Sequence, residues 1–274
     1  MKIKYLGTAA YEGIPSLFCT CRVCAKSKEL GGKNIRTRSQ AIIDDEILLD
    51  YNPDTVIHNQ LYNIDWEKIE AILITHSHSD HLYPQDIEMA GKGYTDNHRV
   101  LDFYSAKSGY DMILPYVLTT GGMITANLVE SGKSFTVSNG KYEVLPLRAN
   151  HAPETTPVIY AVKRGDKKML YAHDTGMFFD DVLNDLEKFG KLNLISLDCT
   201  GALIENGEWK NGHLKLKTCH EQIEILKKLG IVDSDTVIVL NHFSHNGNAT
   251  YDEMCAAAKK YGYVVSYDGL EIEF

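Results

Sequence analysis

The sequence of 274 residues predicts an α/β fold in which two sheets pack face to face with helices outside. Three observations carry that reading. Short apolar segments with strand character alternate with turns along the whole chain. The strands come first as hairpins and then mixed with helical stretches, and the same mixture recurs in the second half. The chain is long enough to bury a large core, and we read residues 1–274 as a single domain. A content of 44% hydrophobic and 24% charged residues with only 7 prolines is that of an ordered globular chain.

Taken in order, "KIKYLG" opens the chain as a strand. "AIIDDEILLDY" from Ala41 reads as a hairpin turning at Asp44-Asp45-Glu46, followed by the strands "AILIT" from Ala71 and "LDFYSA" from Leu101. Helical periodicity places helices near Pro84–Gly91 and Ser108–Leu118. "FTV" and "YEVLPL" are strands, and "VIYAVKRGDKKMLYAHD" is a second hairpin turning at Gly165-Asp166. Helical spacing returns at Phe178–Phe189, Cys219–Leu229 and Tyr251–Tyr261, between the strands "LNLISLD", "TVIVLNH" and the closing "YVVSYDGLEIEF". The region 94–131 and the insertion-like stretch Ile204–Asn211 carry no motif and are candidate substrate walls.

The formal net charge of -9 argues against an extended nucleic-acid surface. The N-terminus lacks the apolar run of a signal peptide, and no stretch approaches the roughly 18 apolar residues of a membrane span. A cytoplasmic location is expected. In that reducing compartment the crowding of Cys19, Cys21 and Cys24 in "SLFCTCRVCAK" suggests metal ligands or a reactive thiol ahead of a disulfide.

After "AILI" comes Thr75-His76-Ser77-His78-Ser79-Asp80-His81, three imidazoles and a carboxylate within six residues at a strand end. Such donors suit zinc, manganese, iron or nickel and poorly suit calcium. Four ligands exceed what one tetrahedral ion takes while keeping a position open for water, so the spacing points to two ions sharing the loop.

THSHSDH resembles the H-x-H-x-D-H signature of the metallo-β-lactamase superfamily. The resemblance implies a four-layer αββα sandwich with a dinuclear site at one edge of the sheets. It implies that His76 and His78, with His151 of "LRANHAP", bind one divalent ion, and that Asp80 and His81, with His242 of "VIVLNHFSH", bind the other. Asp174 of "LYAHDTG" is expected to bridge them. Asp80 and His213 are the residues expected to act in catalysis, His213 because phosphodiesterases of this superfamily carry an extra active-site histidine in the corresponding loop; from its position alone it reads equally well as a solvent-exposed histidine at a helix start. His173 is expected to face away from Asp174, since alternate strand residues point oppositely. His58, His98 and His220 read as surface or core histidines.

"LGTAAYEGIPSLFCTCRVC" is similar to the opening of the PhnP-type phosphodiesterases, where a G-T-G-x-x-x-G-x-P turn precedes C-x-C-x-x-C. PqqB, a cofactor-biosynthesis relative, carries a similar cluster, whereas ribonuclease Z generally lacks it. Ala9 stands where that turn usually has its second glycine, so a different backbone conformation is expected there. The similarity implies a structural zinc held by Cys19, Cys21, Cys24 and His245. The activity implied is hydrolysis of a small cyclic phosphodiester by a metal-bridging hydroxide. Arg36 and Arg38 are candidates for a second phosphate, with solvated surface as their default. The alternatives are another hydrolase of this fold (RNA 3′-end nuclease, thioesterase or lactonase) or a PqqB-like non-hydrolytic protein. A small-molecule substrate, no membrane partner and a homodimer complete the expectations.

Overall fold

The computed structural model describes residues 1–96 and 99–274. Fourteen strands among them form two sheets of seven. The first half supplies β1 (Lys2–Gly7), β2 (Gln40–Ile43), β3 (Ile47–Leu49), β4 (Ala71–Ile74), β5 (Leu101–Ser105) and β6 (Ile124–Leu128). The second half supplies β7 (Phe135–Val137), β8 (Tyr142–Arg148), β9 (Val158–Arg164), β10 (Lys167–Ala172), β11 (Leu194–Asp198), β12 (Val237–Asn241) and β13 (Val264–Val265). The last strand, β14 (Glu271–Glu273), crosses back to pair with β1, so one sheet runs β14-β1-β2-β3-β4-β5-β6 and the other β13-β12-β11-β10-β9-β8-β7. In each, antiparallel pairing gives way to parallel pairing, after β3 in the first sheet and after β10 in the second.

The strands are apolar on both faces because both faces are covered. Ile43, Leu49, Leu73, Val144, Tyr160, Tyr171 and Val239 fill the space between the sheets. Their neighbours Ile42, Leu48 and Ile72 point outward, where Ile113 of α3 (Lys107–Thr119) packs on the first sheet. Leu170, Ile195 and Leu240 point outward from the second sheet toward α4 (Asp180–Phe189), α5 (Leu216–Lys228) and α6 (Tyr251–Ala258). The result is a four-layer αββα sandwich, as the resemblance implies. No helix among the described residues is long and apolar enough to cross a membrane.

Two helices escaped the periodicity reading. Helix α1 (Arg22–Leu30) begins inside the cysteine cluster and buries only Val23, Cys24 and Ser27. Helix α2 (Thr55–Tyr62) buries only Thr55 and His58. Strand β6 was hidden in the region without a motif because most of its residues are only half-buried. Near Pro84–Gly91 the expected helix is a 3-10 helix over Pro84–Ala90, and α6 continues as a 3-10 turn over Lys259–Tyr261. Helix α5 starts at Leu216, earlier than expected, where the Thr218 hydroxyl accepts the Lys215 N–H at 2.9 Å.

The opening turn packs tightly. A Cβ on Gly7 would lie 2.0 Å from the Arg38 carbonyl oxygen, so only glycine lets these backbones approach. Ala9 takes no left-handed conformation and is fully buried, bridging Arg38 and Phe243, so its Cβ is accommodated without strain.

Tyr160 links the sheets where the first one ends. Its hydroxyl donates to the Ile74 carbonyl at 2.8 Å, one residue before the histidine-rich loop. Tyr160→Phe removes that donor from a buried acceptor and is expected to lower unfolding stability by about 1 to 3 kcal/mol. Urea denaturation checks this, and an unchanged midpoint would contradict it.

Candidate metal centres

Every candidate metal ligand of the main site follows the C-terminal end of a strand, the usual place for sites in layered α/β proteins. Asp50 follows β3, the stretch Thr75–His81 follows β4, and His151 follows β8. Asp174, Asp198 and His242 follow or end β10, β11 and β12. Asp50, Asp174 and His242 have positive φ of 67°, 49° and 61°, left-handed conformations that non-glycine residues rarely adopt and that here aim their side chains. The break at Asp174 also separates it from His173, which stays between the sheets on Ser39 and Ser196.

The donor atoms converge in two groups that share Asp174. In the first, His78 Nδ1 lies 2.9 Å from His76 Nε2 and 3.2 Å from His151 Nε2, and His76 Nε2 lies 3.2 Å from Asp174 Oδ2. In the second, His81 Nε2 lies 3.3 Å from Asp80 Oδ2, 3.3 Å from His242 Nε2 and 2.7 Å from Asp174 Oδ2. Asp174 Oδ1 lies 3.4 Å from His242 Nε2, so the one carboxylate touches both groups. Each group therefore joins three separate strand ends.

The chemistry of these donors fits divalent cations. The opposite nitrogen of most rings is occupied by an acceptor that fixes the proton there. His81 Nδ1 donates to Asp50 Oδ2 at 2.7 Å, and His151 Nδ1 donates to the Gly212 carbonyl at 3.1 Å. His76 Nδ1 lies 3.1 Å from the Thr75 hydroxyl, which itself donates to Asp50. His242 Nδ1 lies 2.9 Å from the Thr200 hydroxyl. The remaining nitrogens are left as lone pairs crowded against carboxylate oxygens, an arrangement that a cation satisfies and neutral partners do not. Without one, burial favours the uncharged forms, yet Asp80, Asp50 and Asp174 outweigh it at His81 and raise its pKa well above the usual histidine value. Burial likewise opposes ionisation of Asp174, and His242 and His81 hold its carboxyl well below the usual range.

Asp198 is a further buried carboxylate, beside Asp174, His213 and His242. Its oxygens are already engaged by the N–H groups of Asp174, Thr200 and Leu214 at 3.0–3.1 Å and by His213 Nδ1 at 3.0 Å. It therefore positions rather than ligates. Burial pulls the His213 pKa down, and Asp198 overcomes it, raising it to about 9. His213 sits in a cleft of about 460 Å³ lined also by His78, Asp80, His151, Asp174 and His242. Asp50 and Asp198 were missed from sequence. Each is a lone aspartate ending or following an apolar strand, the one signal that could have marked them.

The three N-terminal thiols meet His245 as a separate group. Its Nδ1 lies 3.5 Å from Cys19 Sγ and 3.4 Å from Cys21 Sγ. A tetrahedral zinc with Zn–S of about 2.3 Å and Zn–N of about 2.0 Å separates such atoms by about 3.5 Å. Each sulfur also receives a backbone N–H: Cys21 to Cys19, Cys24 to Cys21 and Ser16 to Cys24, at 3.3–3.5 Å. Burial opposes ionisation of Cys21, but the Cys24 N–H and His245 outweigh it and bring the thiol down to about 6; burial pushes Cys24 up to about 12. A cation entering here displaces protons. His245 Nε2 faces Glu12 at 3.5 Å, and Glu12 also lines the cleft, so the two sites touch through one side chain.

The arginines correct the sequence reading. Arg36 is neither solvated nor in the cleft: it is buried, donates to Thr8 and the Ser266 carbonyl, and stacks over Phe243. Arg38 pairs with Asp54 at 2.7 Å and donates to the Tyr11 carbonyl. Both brace the N-terminal turn. His58 is a core histidine between Gln40 and Thr37, and His220 bonds the Tyr263 hydroxyl. His98 lies outside the described residues.

Comparison with known proteins bears on this geometry. A family model described as "Beta-lactamase superfamily domain" matches residues 46–243. A curated octanoyltransferase of Porphyromonas gingivalis is 26% identical over 261 residues, covering 90% of this chain; the chain spans 46% of that relative's length. The fold is similar to that of a diphosphatase from the PhnP family, with TM-score 0.72 and 21% identity over 100% of this chain and 98% of the other. It is also similar to zinc-bound PqqB from Methylobacterium extorquens, with TM-score 0.74 and 16% identity over the full length of both.

Asp50→Asn exchanges an acceptor for an amide opposite His81 Nδ1 and Thr75. It is expected to weaken zinc binding by about 10- to 100-fold, the usual effect of losing a carboxylate behind a ligating histidine. Zinc titration by calorimetry checks this, and unchanged affinity would contradict the positioning role.

Proposed function

The chain belongs to the β-lactamase superfamily, and from that premise we propose that it is a dinuclear-metal-dependent phosphodiesterase acting on a small cyclic phosphodiester. The observation that carries this reading is the pair of buried donor groups sharing Asp174, set in one cleft with the cationic His213. His76, His78 and His151 would hold one ion, and Asp80, His81 and His242 the other, with Asp174 common to both. Divalent ions so held supply Lewis acidity toward phosphoryl oxygens and an acidified water.

The chain's own residues complete the site. Asp198 accepts a hydrogen bond from His213 Nδ1 at 3.0 Å and favours the cationic ring, leaving Nε2 as the nitrogen available to substrate. From there it can hold a phosphoryl oxygen or protonate a departing alkoxide. Asp80 and Asp174 add negative charge at the cleft floor, which favours cations there and disfavours an anionic substrate in their absence. A cleft of about 460 Å³ suits a small ligand, and a net charge of -9 gives no extended surface for a polynucleotide. The N-terminal thiols and His245 would hold a structural zinc that does no chemistry. Its ligand thiols, with the other cysteines also free, support a cytoplasmic setting.

A panel of a ribose cyclic phosphate, bis(p-nitrophenyl) phosphate, a short RNA and a thioester tests the proposal. Metal-dependent opening of the cyclic phosphate is expected, and His213→Ala should lower kcat by about 10²- to 10⁴-fold with metal content intact. Turnover of the thioester without turnover of any phosphodiester would overturn the reading. Loss of metal in the variant would remove His213 from catalysis and make it structural.

A further inference from the structure

The stretch Ile204–Asn211 has a feature that the metal groups do not explain. Trp209 lines the cleft together with His213, His151 and Asp80. Its φ is 50°, a left-handed conformation costly for so bulky a residue, so its placement is imposed by its surroundings. Three contacts impose it. The indole lies against the Gly201 backbone, where a Cβ would come within 2.6 Å of Trp209 Cε3, so any larger residue there would displace the ring. The indole N–H donates to the Asn206 carbonyl at 3.1 Å, fixing the ring within its own loop. Lys215, nearly buried, donates from Nζ to the Glu205 carbonyl at 3.1 Å and the Gly207 carbonyl at 2.8 Å. A buried ammonium committed to two loop carbonyls ties the loop down beside the cleft.

Tyr11, 60% exposed, is a second aromatic side chain on the same cleft, and Arg38 holds its backbone by donating to the Tyr11 carbonyl at 2.9 Å. The Trp209 indole can neither ligate a metal nor move a proton in the reaction. A fixed, partly exposed aromatic ring beside a charged site is what recognition of a planar ring requires, because stacking is tolerant of ring identity but demands a rigid platform.

We infer that Trp209 is a specificity-determining residue, a stacking platform that selects phosphate esters carrying a planar ring, such as a nucleobase, over bare sugar phosphates. The inference rests on the phosphodiesterase reading for the phosphate, while the ring preference stands on the loop geometry alone. Gly201 and Lys215 are positioning residues for the platform.

The chain has two tryptophans, and Trp66 lies in a different cleft bonded to Asn59, so Trp66→Phe leaves Trp209 as the sole indole reporter. In the metal-loaded Trp66→Phe protein, adenosine monophosphate is expected to quench indole emission saturably, and ribose 5-phosphate is not. By calorimetry, Trp209→Ala should weaken adenosine monophosphate about tenfold and leave ribose 5-phosphate within about twofold, with Trp209→Phe retaining most of the preference. Equal affinity for both ligands in the parent, or equal losses for both in Trp209→Ala and Trp209→Phe, would overturn the inference. Base-selective binding with no hydrolysis of any phosphodiester in the panel would overturn the phosphodiesterase reading alone.

Discussion

The carboxylate of Asp174 is where the two sheets of this protein meet chemically. It comes from the second sheet, at the end of β10, yet its Oδ2 contacts His76 and His81 from the first sheet, and its Oδ1 faces His242 from β12. It is nearly inaccessible to solvent, so its charge must be met by the imidazoles around it or by cations among them. That requirement explains why the backbone at Asp174 and His242 is left-handed. It also explains why the strands stop where they do: a regular continuation would place these side chains on the sheet faces instead of at the edge between sheets.

Around this point the structure is built outward in layers of hydrogen bonds. Asp50 binds the Thr75 N–H and hydroxyl as well as His81 Nδ1, fixing both the start of the histidine-rich loop and one of its rings. Asp198 does the same on the other side, gathering three backbone N–H groups with His213 and so tying the loop before α5 to the end of β11. The N-terminal thiol group extends the pattern. His245 lies three residues beyond His242, and its partner Glu12 reaches the cleft, so a cation held by the thiols would brace the same edge. The sandwich supplies the rigidity and the strand ends supply the aim.

Much of this was legible in the sequence. The strands of both sheets, apart from β6, and both hairpins were visible because their residues are buried on two faces and read as apolar runs bounded by turns. The histidine-rich loop was visible because four donors fall within six residues. Residues His151, Asp174 and His242 became visible only through the family resemblance, since each stands alone at a strand end. The same isolation hid Asp50 and Asp198, whose roles depend on which backbone N–H groups and rings the fold brings to them. Arg36 misled for the opposite reason: arginine is usually exposed, and nothing local shows that Phe243 and the Ser266 carbonyl, more than two hundred residues away, enclose it. The Trp209 platform was invisible because its fixing contacts involve glycine backbone and a lysine, residue types that give no periodic signal.

The central claim, that one carboxylate joins two cation-binding groups while the thiol cluster forms a closed third, is tested most directly by counting metal ions in the purified protein before and after mild chelation. The account predicts about three divalent ions per chain, of which about one, a zinc in a closed four-ligand shell, survives chelation. It further predicts that Asp174→Asn lowers the count of removable ions and leaves the resistant one in place. A single ion per chain at saturation, or an Asp174→Asn protein that keeps its full complement, would contradict it.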